Sequence, residues 1–466
     1  MEHPAHLPEL PAHLLFGTAT AAYQIEGGAH EGGRGPSIWD TYCRTPGRVV
    51  RGETGDIACD HYHRYGEDVA LLADLGVDLY RFSVAWPRVQ PTGTGRPNPE
   101  GMAFYDRLVD TVLAAGIEPV LTLYHWDLPQ ALEDTGGWRV RDTAYRFAEY
   151  TRIVADRLGD RVSRWITLNE PFCVAFVGHA IGRHAPGTRE GTPALAAAHH
   201  LLLAHGMAVG ELRAAAAGDV GITLNPDHLV PATDSAADRA AVERARTLHN
   251  RVWLDPLFAG AYLDNEKEVW GDLVDHAHRR DGDLDIIGQP LDFVGVNYYR
   301  PIMLRDAPHT EPDPTARTAV DIGTEQVAYE GVRHTTMGWP VVPETFTEML
   351  VDLDRRYPDL PPILITENGS AEDDRPDDSG RVHDADRIAY LRDHLNALAA
   401  AIDAGVDVRG YFVWSLLDNF EWAYGYDRRF GLVRVDYERL ARHPKDSYHW
   451  YRELLTTQRA RRTTAR

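Results

Sequence analysis

The sequence predicts an α/β fold, a (β/α)8 TIM barrel with elaborated βα loops. Three observations predict it. Eight short apolar runs recur along the 466 residues. Helix-like segments with a 3.6-residue apolar period lie between them. No composition shift marks a linker, so residues 1–466 read as one barrel domain. Strands alternating with helices imply βαβ units and a parallel sheet. Eight such units imply a closed barrel more readily than an open sheet.

The predicted strands are Leu14–Thr18, Asp78–Ala85, Glu118–Tyr124, Trp165–Leu168, Val220–Leu224, Phe293–Val296, Ile363–Thr366 and Gly410–Trp414. Most are continuous runs of Val, Ile, Leu and aromatics, bounded by Gly, Pro, Asp or Asn. That pattern suits parallel strands buried on both faces. Helices are predicted over Glu67–Leu75, Thr143–Leu158 and Asp386–Ala404. In the second, Phe147, Tyr150, Val154 and Leu158 share one face. A plain barrel of this type needs about 250 residues, which leaves about 200 for loops. The candidates are Tyr42–Cys59, Ile181–Ala194, Arg300–Pro340 and Asn419–Pro444. The third is the most polar and irregular stretch and is expected to be mobile at its tip.

Composition excludes several classes. The 48 basic and 70 acidic side chains give a net charge of −22, which disfavours phosphate backbones and anionic lipid; no nucleic-acid partner is expected. Nothing approaches 18 uninterrupted apolar residues, so no membrane span is expected. The opening MEHPAHLPELPAHL has neither a basic n-region nor an apolar h-region and does not read as a secretory signal. Cys43, Cys59 and Cys173 form no disulfide framework; they read as reduced thiols of a cytoplasmic protein, with one incidental pair left open. Oligomeric state is left open too.

Chemistry in such barrels sits at the C-terminal strand ends. Those ends here carry Gln24, Arg81, His125 with Trp126, Asn169 with Glu170, Asn225, Asn297 with Tyr299, Glu367 with Asn368, and Trp414. Carboxylates and amides exchange hydrogen bonds with hydroxyls, and flat rings cover C–H faces. The set suits a neutral polyhydroxylated ligand. Glu170 and Glu367 each end a strong strand signal and lie far apart in the chain, so only a closed fold brings them together. Two carboxyls across a small cavity can cleave a glycosidic bond. One attacks the anomeric carbon; the other, with a raised pKa, protonates the leaving oxygen and then activates water.

The segments FGTATAAYQIEGG, YRFSVAWPR, LYHWDLP, TLNEP, NYY, ITENG and VWSLLDNFEW resemble the signatures of family 1 of the glycoside hydrolases, the retaining β-glucosidases. They run in order over nearly the whole chain. The resemblance implies a (β/α)8 barrel, a β-glycoside substrate, and no cofactor or metal. It implies that Glu170 of TLNEP is the acid/base and Glu367 of ITENG the nucleophile. Asn169 would bond the sugar 2-hydroxyl, with Asn297 supporting that side. Tyr299 and Arg81 would contact Glu367 and hold it ionised. Gln24, His125, Trp126, Glu421 and Trp422 would bind the 3-, 4- and 6-hydroxyls. Trp414 would be the stacking platform, against the alternative of a barrel-core tryptophan, and Trp339 would line the leaving-group side. The carboxyls of Glu170 and Glu367 would lie about 5–5.5 Å apart. VWSLLDNFEW further implies a cis peptide between Trp414 and Ser415.

Two positions depart from the pattern. Leu14 stands where the first signature has Phe, and Ser370 follows ENG where an apolar residue is usual. Relatives that lose acid catalysis carry Gln in TLNEP; Glu170 is intact. Relatives acting on 6-phosphorylated sugars lack the FEW carboxylate. A phosphate beside Glu421 would be repelled by about 1 kcal/mol in water and more at lower dielectric. Three readings of the same site remain open from sequence: a hydrolase, a transglycosylase using the same residues, and a sugar-binding barrel without catalysis.

Other groups read as structural. His61 and His63 beside Asp60 face apart on a helix and suit hydrogen bonding better than a metal. His199 and His200 fall in an Ala/Leu-rich helix as packing or surface residues. Gly27, Gly28, Gly32 and Gly33 are turn glycines. Cys173 reads as a small apolar filler rather than a nucleophile. Asp418 and Asp427 read as loop-organising acceptors.

Overall fold

The computed structural model describes residues 7–307 and 316–464. The tip of the loop 300–340 and the first six residues of the N-terminal segment lie outside the described residues. Eight parallel strands close into a barrel. They are β1 (Leu15–Ala19), β2 (Leu79–Ser83), β3 (Glu118–Tyr124), β4 (Arg164–Asn169), β5 (Asp219–Leu224), β6 (Phe293–Asn297), β7 (Ile363–Asn368) and β8 (Val408–Trp414). Each strand pairs with its neighbours in chain order, and β1 closes the ring on β8. All eight agree with the predicted runs to within about two residues at each end. The predicted helices are present as His61–Leu75, Asp142–Leu158 and Ala385–Asp403.

Two apolar cores follow from strand alternation. The larger lies between barrel and helices and includes Phe16, Tyr80, Leu121, Trp165 and Val413. The smaller fills the barrel with Leu79, Val120, Ile166, Phe293, Leu364 and Phe412. The two phenylalanines need room. A Cβ on Gly17 would come 2.6 Å from the Phe412 ring, and one on Gly221 would come 2.5 Å from the Phe293 ring. Glycine at those strand positions lets large rings fill a narrow barrel.

Above this plug the barrel turns polar, with Arg81, Thr122, Asn169, Thr223, Asn297 and Thr366 all buried. Register fixes their level. Ala19 pairs with both Arg81 and Trp414, and Glu367 pairs with Asn297. The ladder shifts register between Ile166 and Asn169 on β4, and between Ile365 and Glu367 on β7. Such irregularities re-aim side chains at strand ends, and here they immediately precede both glutamates of interest.

The long loops are more ordered than their composition suggests. Within 300–340, Pro301–Asp306 and Thr324–Val327 join His228–Pro231 in a three-stranded sheet. Within 419–444, Val433–Asp436 and Ala441–Pro444 form an antiparallel pair. The turn-glycine reading is supported by positive φ at Gly27, Gly28, Gly32 and Gly33. His199 and His200 are buried, bonding Asp283 at 2.8 Å and the Trp138 carbonyl at 3.0 Å. The three cysteines are free. Among the described residues, no helix is long and apolar enough to cross a membrane.

Candidate active site

A cavity of about 270 Å³ opens at the C-terminal end of the barrel, near the lower end of the range for small-ligand sites. Glu170 and Glu367 both line it, with His125, Trp126, Asn297, Tyr299, Trp339, Trp414, Glu421 and Trp422. Arg81 and Asn169 lie just beneath, wholly buried.

One hydrogen-bond network ties the floor together. Arg81 donates through Nη1 to Glu367 Oε1 at 2.6 Å and through Nη2 to Asn169 Oδ1 at 2.6 Å. Tyr299 donates its hydroxyl to the other Glu367 oxygen, also at 2.6 Å. Asn297 Nδ2 donates to Glu170 Oε1 at 2.6 Å and to Asn169 Oδ1 at 3.1 Å. The Asn297 Oδ1 accepts from Thr366 at 2.7 Å, which fixes the amide's orientation. Thus Asn297 grips Glu170 directly, a contact beyond the expected support of the sugar's 2-hydroxyl side.

Cys173 requires a correction. It is more than an apolar filler: its Sγ donates to Glu170 Oε2 at 3.1 Å. Glu170 sits at the strand end, and Cys173 is one turn into the following helical segment, with its backbone N–H on the Glu170 carbonyl at 2.9 Å. The i, i+3 spacing was the available signal. Burial pushes the thiol well up, and the Glu170 carboxylate adds to it.

The carboxyls differ in surroundings. Burial, with Glu367 adding, raises Glu170 to about 7, against the opposing bonds from Asn297 and Cys173. Glu367 instead accepts from a guanidinium and a phenol. Glu421 is raised further, to about 8, by burial and then by Glu367 and Glu170. Burial and the Arg81 charge hold His125 well below the usual imidazole range, so the ring is neutral. Its Nε2 lies 3.1 Å from the Asn169 amide. With that nitrogen accepting, Nδ1 carries the proton, and it is buried with no partner.

Flat rings form one wall. His125 stacks at 5.8 Å on Trp414 and at 5.9 Å on Trp422, and Trp126 lies 4.6 Å from Trp422. Trp339 stands apart, 5.3 Å from Tyr299. The Trp414–Ser415 peptide is cis. Trp126, Glu170 and Trp422 all have positive φ, at 80°, 44° and 51°. Non-glycine residues rarely adopt this conformation, and it concentrates at functional sites.

Gln24 stands differently. It is wholly buried and not among the residues that line the cavity, and its Nε2 donates to Asn419 Oδ1 at 2.9 Å and to the Phe420 carbonyl at 2.8 Å. Its Oε1 is buried without a partner. Ser370, one of the departures, is buried with its carbonyl on Arg387 at 3.2 Å. The cavity wall also includes Arg183, His184, Asp227, His249, Arg300 and Tyr424. Sequence reasoning missed them because most come from loops, where no periodicity marks an inward side chain, and His249 from the short irregular helix Thr247–Arg251; only the position of Arg300, next to Tyr299, offered a hint.

Among the described residues, no group of three or more His, Cys, Asp or Glu is placed to hold a metal. His61 bonds Asp68 at 2.8 Å, while His63 bonds Asp60 and Glu31, so the two rings serve different partners. Asp418 organises its loop, accepting from Lys445 at 2.7 Å and from the Gly431 N–H at 3.0 Å.

The sequence profile of glycosyl hydrolase family 1 matches residues 6–460. The "Bifunctional beta-D-glucosidase/beta-D-fucosidase" of Bifidobacterium breve is 47% identical over 461 residues, covering 97% of this chain and 99% of that one. The "Thermostable beta-glucosidase B" of Thermobispora bispora is 50% identical over 450 residues, covering 96% and 90%. The solved structure of the "Family 1 b-glucosidase from Thermotoga maritima" superposes with a TM-score of 0.91 at 44% identity, covering 97% of this chain and 99% of that one.

Proposed function

The chain belongs to glycosyl hydrolase family 1, and from that premise we propose that it is a retaining β-glucosidase, a single catalytic barrel that releases terminal β-D-glucosyl residues. The observation that carries the reading is the division of labour between two carboxyls on one cavity. Glu170 is raised to about 7, which suits a general acid near neutral pH. Glu367 is held at 2.6 Å by both Arg81 and Tyr299, which suits a carboxylate aimed as a nucleophile.

The reaction runs in two displacements. Glu367 attacks the anomeric carbon while Glu170 gives its proton to the departing oxygen, and a glycosyl–Glu367 ester forms. Glu170, now ionised, takes a proton from water, which attacks the same carbon from the leaving-group side. Configuration is retained overall. Asn169 is held beside both carboxyls by Arg81 and Asn297, where it would meet the sugar 2-hydroxyl. His125 would donate its free Nδ1–H to a hydroxyl. Trp414 would stack on the ring, Trp126, Glu421 and Trp422 would hold the far hydroxyls, and Trp339 would face the leaving group. Gln24 would contribute its unpartnered Oε1, although its amide nitrogen is committed to Asn419 and Phe420. The chemistry needs no cofactor.

The name of the Bifidobacterium relative supports β-fucosides as further substrates, and disaccharides such as cellobiose fit the class. The free thiols of Cys43, Cys59 and Cys173 support a cytoplasmic location. A panel of chromogenic β-glycosides tests the reading: glucoside turnover is expected. Saturable binding without turnover would favour the sugar-binding alternative. Acceptor glycosides outweighing free glucose among the products would favour the transglycosylase.

A further inference from the structure

The mouth of the cavity carries positive charge that hydrolysis of a neutral glucoside does not use. Arg183 and Arg300 both line it. Among the described residues, Arg300 donates only to the Pro301 carbonyl, at 3.4 Å, and its guanidinium carbon lies 5.7 Å from the Trp339 ring. Arg183 donates to the Tyr424 hydroxyl and lies 4.9 Å from that ring. Among the described residues, neither guanidinium has a carboxylate within 4 Å. Arg183 is exposed and Arg300 half-buried; the wholly buried arginines are each matched, Arg81 by Glu367 at 2.6 Å, Arg88 by Glu26 at 3.0 Å and Arg387 by Asp374 at 2.6 Å. Asp227 shares the cavity wall, but its Oδ2 is engaged by His249 at 2.7 Å. Burial holds Arg300 below the ordinary guanidinium value, and the nearby Asp227 offsets only part of that. Two cations without an ion-pair partner among the described residues therefore line one opening of a chain whose net charge is −22.

Resting on the β-glucosidase reading, we propose that the leaving-group side of this cavity selects aglycones that carry a carboxylate on an aromatic ring. Guanidinium groups offer paired donors matched to carboxylate oxygens. Trp339, beside Arg300, supplies a flat face for the aglycone ring. A neutral second sugar would leave both cations without an anion. An acidic group on the sugar itself would lie beside Glu421 and the two reacting carboxyls, at the wrong end.

The test compares 4-carboxyphenyl β-glucoside with its methyl ester on the parent enzyme, Arg300→Gln, Arg183→Gln and the double variant. The readout is the acid-to-ester ratio of kcat/KM; intrinsic leaving-group differences are common to all four proteins and cancel between them. Each single change is expected to lower the ratio about tenfold, and the double change by up to about a hundredfold, the range of charge-assisted hydrogen bonds. Raising NaCl from about 20 to about 500 mM should lower the parent ratio several-fold and leave the double variant's flat. A ratio the same to within about twofold in parent and double variant overturns the inference. So does a parent ratio insensitive to salt, which needs no variant to fold. Ester turnover with an unmoved ratio refutes this inference alone; turnover of neither compound refutes the glucosidase reading and this inference with it.

Discussion

Asn297→Ala isolates the device that sets the acid. The amide donates to Glu170 Oε1 at 2.6 Å. A hydrogen bond to an ionised group contributes about 1.5–3 kcal/mol, and one pKa unit corresponds to about 1.36 kcal/mol. Complete loss would therefore raise the acid by about one to two units. The Cys173 bond at 3.1 Å persists, and water entering the vacated space restores part of the solvation, so about one unit is expected. The donor favours the charged form, so its removal favours the protonated one. Glu170 must be protonated to expel the aglycone, and its value near 7 sets the alkaline limb of kcat/KM. In the variant that limb should move from about pH 7 to about pH 8. The plateau should fall, because Asn297 also holds Asn169 at 3.1 Å. The assay is kcat/KM against pH with a poor leaving group, so that protonation limits the rate. A limb that stays in place, or moves toward acid, would refute the reasoning whatever happens to the plateau.

Three further outcomes are expected. Glu170→Ala should cost about 10²–10⁴ in kcat/KM for alkyl glucosides and far less for activated aryl glucosides; equal losses across a leaving-group series would exclude acid catalysis by Glu170. Gly369→Ala places a Cβ 2.0 Å from the Trp414 carbonyl oxygen, so chemical denaturation should show a loss of about 3 kcal/mol or more; an undiminished midpoint would contradict the packing described. Glu421 is raised to about 8, so between its unfolded value near 4.5 and pH 8 the folded protein keeps a proton the unfolded chain has released, and stability falls as pH rises through that window. Glu421→Gln should then be more stable than the parent by about a few kcal/mol at pH 8 and no more stable near pH 4, as read by denaturant titration at both pH values.

The barrel was legible because its strands are buried on both faces. Ile363–Asn368 and Glu118–Tyr124 are continuous apolar runs with sharp polar ends, and burial on both sides leaves no other pattern. The amphipathic period of residues 142–158 was equally plain. The short strands Thr324–Val327 and Ala441–Pro444 were not, since four residues at a half-exposed edge carry almost no hydrophobic signal. At the site, strand-end position exposed Glu170, Glu367, Asn169 and Asn297. What stayed hidden was contact. Cys173 could be seen near Glu170 in the chain, but the irregular helix that follows the strand decides that its sulfur meets the carboxyl. Arg183 and Arg300 come from loops whose paths depend on packing far along the chain.

The most direct test of the central claim is peptide mapping by mass spectrometry of enzyme inactivated with a 2-deoxy-2-fluoro-β-glucoside bearing an activated leaving group. The account predicts a fluoroglucosyl ester on the Glu367 carboxyl, with Glu170 unmodified. Turnover with no adduct at all, or an adduct on any other side chain, would contradict it.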